Sequence, residues 1–137
     1  MKNIPATKSS LILRTDFSDE AAWGALCAAV REAANGEFAA DVELVSDPEF
    51  AGLEAAQLPA APTDDPERAF AFLVDREALT HPDHPILVVD LWDEPGRAFR
   101  VIPEALWSVE NNLALANMDF GEFADAVERD GIFRGFA

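Results

Sequence analysis

Carboxylates at the ends of expected strands are the side chains in this chain best placed to do chemistry. Asp16 follows the first strand, Asp75 the third, and Asp93 and Glu94 the fourth. Where such strands are parallel their ends gather at one sheet edge, the edge at which α/β folds usually bind ligands. Asp16, Asp75 and Asp93 together could hold Mg²⁺ for phosphoryl chemistry. Phosphate handling would also want a lysine or a glycine-rich loop. The only lysines are Lys2 and Lys8, and neither a P-loop nor a dinucleotide-binding glycine pattern occurs. Asp and Glu also begin turns and helices for reasons of their own. The expectation is therefore no cofactor, with these three carboxylates as the alternative metal site.

Other catalytic groupings are incomplete. His81 and His84 are the only imidazoles and sit with Asp83 in a turn framed by Pro82 and Pro85. Two His and a carboxylate make part of a zinc site, but no thiol or further His completes the shell. No G-x-S-x-G pattern supports serine hydrolysis. Cys27, the only cysteine, falls on the apolar stripe of an expected helix, where a free cysteine acts as a small core residue. No catalytic residue is expected.

Recognition has better material. Glu110, Asn111, Asn112 and Asn117 interrupt an otherwise apolar helix, WSVENNLALANM, over residues 107–118. A buried amide needs partners, so these side chains either tie the helix to nearby loops or form a polar patch beside Trp92 and Trp107. Arg97 and Arg100 flank a hairpin turn rich in acids, where local ion pairs are expected. The candidate binding surface is Trp92, Asp93, Glu94, Arg97, Trp107, Glu110, Asn111 and Asn112.

The elements that must position these groups centre on Pro85–Pro103, PILVVDLWDEPGRAFRVIP. Its apolar run, broken only by Asp90, predicts a strand covered on both faces. Pro95 and Gly96 supply turn chemistry, and a second strand resumes at Ala98, giving an antiparallel hairpin with a loop of about four or five residues. Upstream, residues 10–15 and 41–46 read as strands around a helix capped by Ser18 and ended at Asn35–Gly36, a parallel unit. Residues 69–74 predict a third strand. Downstream, one helix starts at Pro103 and can break near Ser108. Another starts at Asp119, with Glu122 completing a capping box, and runs to Asp130–Gly131. Phe133 and Phe136 should dock the C-terminus on the core. The expected fold is α+β (mixed α/β). It has a single mixed sheet of about five strands, an early strand–helix–strand unit, a central hairpin and two C-terminal helices. It should form a single globular domain over 1–137, with 1–8 a loose lead-in and 59–68 a proline-rich loop.

Composition narrows the partners. The net charge is −16 over 137 residues, and the halves 1–68 and 69–137 each carry five basic and thirteen acidic groups. The charge is thus spread over the surface and not held in a tail. It repels phosphate backbones, so no nucleic-acid partner is expected, and it suits a basic protein while also keeping the chain in solution. Apolar runs of about seven residues fall far short of a membrane helix. No leader pattern precedes the first strand. One thiol and no possible internal disulfide fit a cytoplasmic protein.

Three blocks add a family likeness: LILRTDFSDEAAW (11–23), HPILVVDLWDEPGRAFRV (84–101) and LWSVENNLALANMDFGEFADAV (106–127). They resemble a family of small bacterial proteins, mostly from actinomycetes, that is a domain of unknown function. The resemblance implies a stand-alone cytosolic protein and brings no catalytic residues. In general character the chain also resembles polymorphic-toxin immunity proteins, which are small, acidic and α/β. The reading that results is a protein-interaction or regulatory protein, with an immunity-type inhibitor as one form. The alternative is a metal-dependent enzyme or small-molecule binder using strand-end carboxylates.

Overall fold

The computed structural model describes residues 1–34 and 38–136. The strands are β1 (Ser10–Arg14), β2 (Val42–Val45), β3 (Phe70–Val74), β4 (Ile86–Asp90), β5 (Ala98–Val101) and β6 (Ile132–Phe133). The helices are α1 (Glu20–Ala33), α2 (Arg76–Thr80), α3 (Leu106–Ala114) and α4 (Phe120–Ala124). All six strands form one mixed sheet in the order β2-β1-β3-β4-β5-β6, and the fold class is α+β.

β1 is parallel to β2 and β3, β4 is antiparallel to β3 and β5, and β5 is parallel to β6. β4 alone therefore runs against the rest. The C-terminal ends of β1 and β3 share one sheet edge, and the Asp90 end of β4 lies at the opposite edge.

The apolar run of β3 is continuous because both its faces are covered. Phe70, Phe72 and Val74 join Ile12, Val88, Phe99 and Val101 under the helices, against Leu26, Val30, Val109 and Phe123. Ala71 and Leu73 join Leu11, Leu13 and Val89 on the other face. Among the described residues, no α-helix covers that second face. Its lid is Ile4 from the lead-in, Phe50 and Leu58 from 3₁₀ turns at Pro48–Phe50 and Ala55–Ala60, and Leu53 between those turns.

This lid ties down the lead-in and holds it against the proline-rich loop. The lead-in is not loose, because Ile4 is buried and bridges Thr63. Its N–H donates to Pro62 C=O and its C=O accepts from Asp64 N–H, both at 2.9 Å. The proline-rich segment begins inside a 3₁₀ turn and is strapped to that lead-in, with the Arg68 guanidinium donating to Pro5 C=O at 3.0 Å. An apolar sheet face must be covered, and the lead-in together with residues 48–61 covers it.

Several boundaries shift. Asp19, not Ser18, caps α1, accepting from Ala22 N–H at 3.0 Å, while Ser18 bonds Asp16. The stop expected at Asn35–Gly36 lies outside the described residues. α3 is unbroken at Ser108 and follows a 3₁₀ turn at Pro103–Ala105. The last helix ends at Ala124, well before Gly131. Gly131, at φ +80°, turns the chain into the sixth strand, β6, one more than the apolar runs suggest. No helix among the described residues is long and apolar enough to cross a membrane.

Candidate functional site

The hairpin loop is longer than its turn residues suggest, and Asp90 is the reason. β4 stops at Asp90 and β5 starts at Ala98, leaving Leu91–Arg97 between them. Asp90 is 2% exposed. It accepts backbone N–H groups from Trp92 at 2.9 Å, Asp93 at 3.3 Å and Glu94 at 2.8 Å. Leu91 N–H still donates to Ala69 C=O of the neighbouring chain segment. The chain therefore leaves the sheet after Leu91 and curls around a buried carboxylate. Trp92 is delivered to the surface, 74% exposed.

Facing this loop is the α3–α4 corner. α3 ends in a complete Schellman motif: Asn117 N–H donates to Asn112 C=O at 2.9 Å, and Ala116 N–H to Leu113 C=O at 3.2 Å. The motif needs a left-handed residue after the cap, a position that favours glycine. Here it is Ala116, at φ +55°. Asp119 then starts α4, its N–H donating to the Glu122 carboxylate at 3.1 Å. Arg97 ties the two walls together, donating to Glu94 at 2.8 Å and to Asp125 at 3.1 Å.

Between the walls lies a cleft of about 520 Å³. Phe70, Leu113, Met118 and Phe120 give it apolar sides, and Trp92 stands at its rim. Glu67, Asp90, Asp93 and Asp119 also line it, and no basic side chain does so among the described residues.

Trp92 and Asp93 thus reach the cleft, while Glu94 and Arg97 brace it from behind. The other four candidates do not line it. Trp107 is half-buried and stacks on Phe38, with ring centroids 4.8 Å apart. Glu110 is buried and accepts Ser10 Oγ–H at 2.6 Å, Asp41 N–H at 2.8 Å and Asn111 Nδ2–H at 3.1 Å. Asn111 Nδ2 also donates to Ala39 C=O, and Asn112 Nδ2 to Ser108 C=O one turn back. The polar run of α3 therefore fastens the helix to the starts of β1 and β2. Sequence reasoning missed Glu67, Asp119, Leu113 and Met118 as cleft residues. The one available signal was Asp90, a lone acid inside an apolar strand.

The strand-end carboxylates do not assemble as expected. Asp16 and Asp75 line a depression of about 330 Å³ at the C-terminal edge of β1 and β3. Asp93 lies at the opposite edge because β4 is reversed. Asp75 is also engaged, accepting Ala78 N–H as the cap of α2 and both Nη groups of Arg100 at 2.9 and 2.7 Å. Burial pushes its carboxyl up, but the Arg100 guanidinium and the Ala78 N–H outweigh burial and hold it below the ordinary value. The Ser18 hydroxyl does the same for Asp16. Among the described residues, no three His, Cys, Asp or Glu side chains are grouped so as to hold a metal ion.

The remaining reactive groups are occupied structurally. Burial pushes the Cys27 thiol up, away from the thiolate. His84 Nδ1 lies 3.0 Å from Ala78 C=O, and His81 Nδ1 accepts Asp83 N–H. Arg14 is 1% exposed, paired with Glu20 at 2.7 Å and placed over Phe17 at 4.3 Å and Trp23 at 5.1 Å from the ring centroids.

The chain belongs to the DUF6924 family, a domain of unknown function, which it matches over residues 9–136. The matched span contains every strand and helix described above, and it begins just after the lead-in that buries Ile4. No curated protein matches the chain.

Proposed function

We propose that this chain is a non-enzymatic interaction protein that receives a basic protein partner on the face bearing the Trp92 cleft. One observation carries the reading: an exposed indole, on a backbone held by a buried carboxylate, rims an apolar cleft whose charged lining is acidic throughout. Large exposed aromatics beside apolar walls are what protein interfaces use as anchors. A surface of one sign steers an oppositely charged partner and raises its association rate. The strained conformation at Ala116, on the cleft wall, is a second support, because such strain concentrates where structure is held for use. The regulatory form of this reading is an inhibitor that masks a basic surface of its target, as immunity-type proteins do. It acts in the cytoplasm, where a lone buried thiol stays reduced.

The test compares the wild-type chain with an Asp93→Lys variant, both immobilised in a native lysate. The expected result is a protein retained at low salt, released as salt rises, and lost from the variant. Equal retention by the two chains, or no salt-sensitive retention at all, would overturn the reading.

A further inference from the structure

We infer that the cleft takes an arginine side chain of the partner and discriminates against lysine. The inference deepens the basic-partner reading above and rests on it. A guanidinium is planar and weakly hydrated, stacks on an aromatic face, and bonds carboxylates through a fork of N–H donors. An ammonium is a compact, strongly hydrated point charge and gains less from an indole.

The cleft offers both features to one side chain. Trp92 supplies a large exposed ring. Asp93 and Glu67 supply carboxylates that are in no ion pair among the described residues. Leu113 and Met118 provide apolar wall for the three-carbon stem. The chain's own arginines close by in sequence are engaged outside the lining, Arg97 by Glu94 and Asp125 and Arg68 by Pro5 C=O and Asp65. A similar arrangement occurs inside this molecule: the guanidinium of Arg14 sits over Phe17 and Trp23 and is ion-paired with Glu20. In the cleft, ring and carboxylate are present and the guanidinium must come from a partner.

The experiment titrates the full chain with tetra-arginine amide and tetra-lysine amide, following the indole N–H signals of its three tryptophans by NMR. Trp92 is assigned with Trp92→Phe. Tetra-arginine should move the Trp92 signal, leave Trp23 and Trp107 in place, and bind about fivefold tighter than tetra-lysine. Trp92→Ala should remove that preference, and Asp93→Asn should weaken both peptides. Trp92 and Asp93 are exposed, so unchanged Trp23 and Trp107 signals report an intact fold in each variant. Equal affinity for the two peptides overturns the arginine inference and leaves the basic-partner reading standing. Tetra-arginine binding that leaves Trp92 unmoved overturns the inference. Failure of both peptides to bind at low salt overturns the inference and the reading together.

Discussion

Asp90 and Trp92 are joined by a single bond, Trp92 N–H to Asp90 Oδ1 at 2.9 Å, and that bond decides where the indole goes. One residue earlier the chain still belongs to the sheet, since Leu91 N–H donates to Ala69 C=O. One residue later the same carboxylate has captured the backbone. Trp92 would otherwise continue an apolar strand. Instead it stands 74% exposed at the rim of an acidic cleft.

Asp90→Ala should therefore both destabilise the chain and release the indole. Three backbone N–H groups lose a charged acceptor at a position that is 2% exposed. Hydrogen bonds to a charged group of this kind contribute about 1.5–3 kcal/mol, and the loop's partial access to water holds the total near 2–3 kcal/mol. Urea denaturation gives the loss. Line-broadening of the Trp92 indole N–H in the folded variant shows the release. A variant as stable as wild type would mean that the loop is held by Arg97 and the Gly96 turn alone.

Ala116→Gly should stabilise the chain by about 1 kcal/mol, because it relieves the left-handed strain of a residue with a Cβ. Both Schellman hydrogen bonds use backbone atoms and survive the change. Ala116→Val should cost at least as much as glycine gains, since branching at Cβ worsens the same clash. The midpoints of urea unfolding order the three chains. Glycine falling below alanine would show that the corner is not strained.

Legibility in the sequence followed the length of each signal. The apolar runs of β3 and β4 and the alternation of β2 were readable because a buried strand needs several consecutive residues. The Asp119–Glu122 pair was readable because capping chemistry is local. β6 was not, since two residues carry no periodicity. The covering of the second sheet face was not, since Ile4 stands in a short lead-in with no apolar periodicity. The cleft was half legible. Trp92 and Asp93 stood out in a turn, but Glu67 and Asp119 reach them from distant segments, and no spacing links those positions. The reversal of β4 decided which carboxylates could meet. It separates Asp93 from Asp16 and Asp75, a fact that only strand order supplies.

Asp75 should carry part of the acid sensitivity of the fold. Its native carboxyl is held below the ordinary value of 3.8, because Arg100 and the Ala78 N–H outweigh the penalty of burial. The unfolded chain then binds the proton more readily than the folded one, so stability falls as pH falls. The contribution of Asp75 is complete above the ordinary value and is lost as pH drops through the depressed native one. Asp75→Asn should lower stability at neutral pH and flatten the acid limb below about pH 4. An acid limb of unchanged steepness in that variant would assign the sensitivity to other carboxylates.

Glu110 provides the control that separates holding the fold from binding a partner. It is 3% exposed and joins α3 to residues far away in the chain, accepting from Ser10 through one oxygen and from Asp41 and Asn111 through the other. Glu110→Ala takes the acceptor from Ser10 Oγ–H and Asp41 N–H, while Asn111 keeps its bond to Ala39, and should cost about 2 kcal/mol or more. Glu110→Gln should cost less than about 1 kcal/mol, because each partner can still be satisfied. The amide oxygen serves the two N–H donors, while the amide nitrogen donates to Ser10 Oγ, whose hydroxyl turns from donor to acceptor. Ser10→Ala then removes the same contact from both backgrounds, and a double-mutant cycle isolates it. Glu110 does not line the cleft, so Glu110→Gln should bind tetra-arginine amide as wild type does. If it instead abolishes that binding while the fold stays intact, the polar run of α3 belongs to the contact surface and the Trp92 cleft is not the site.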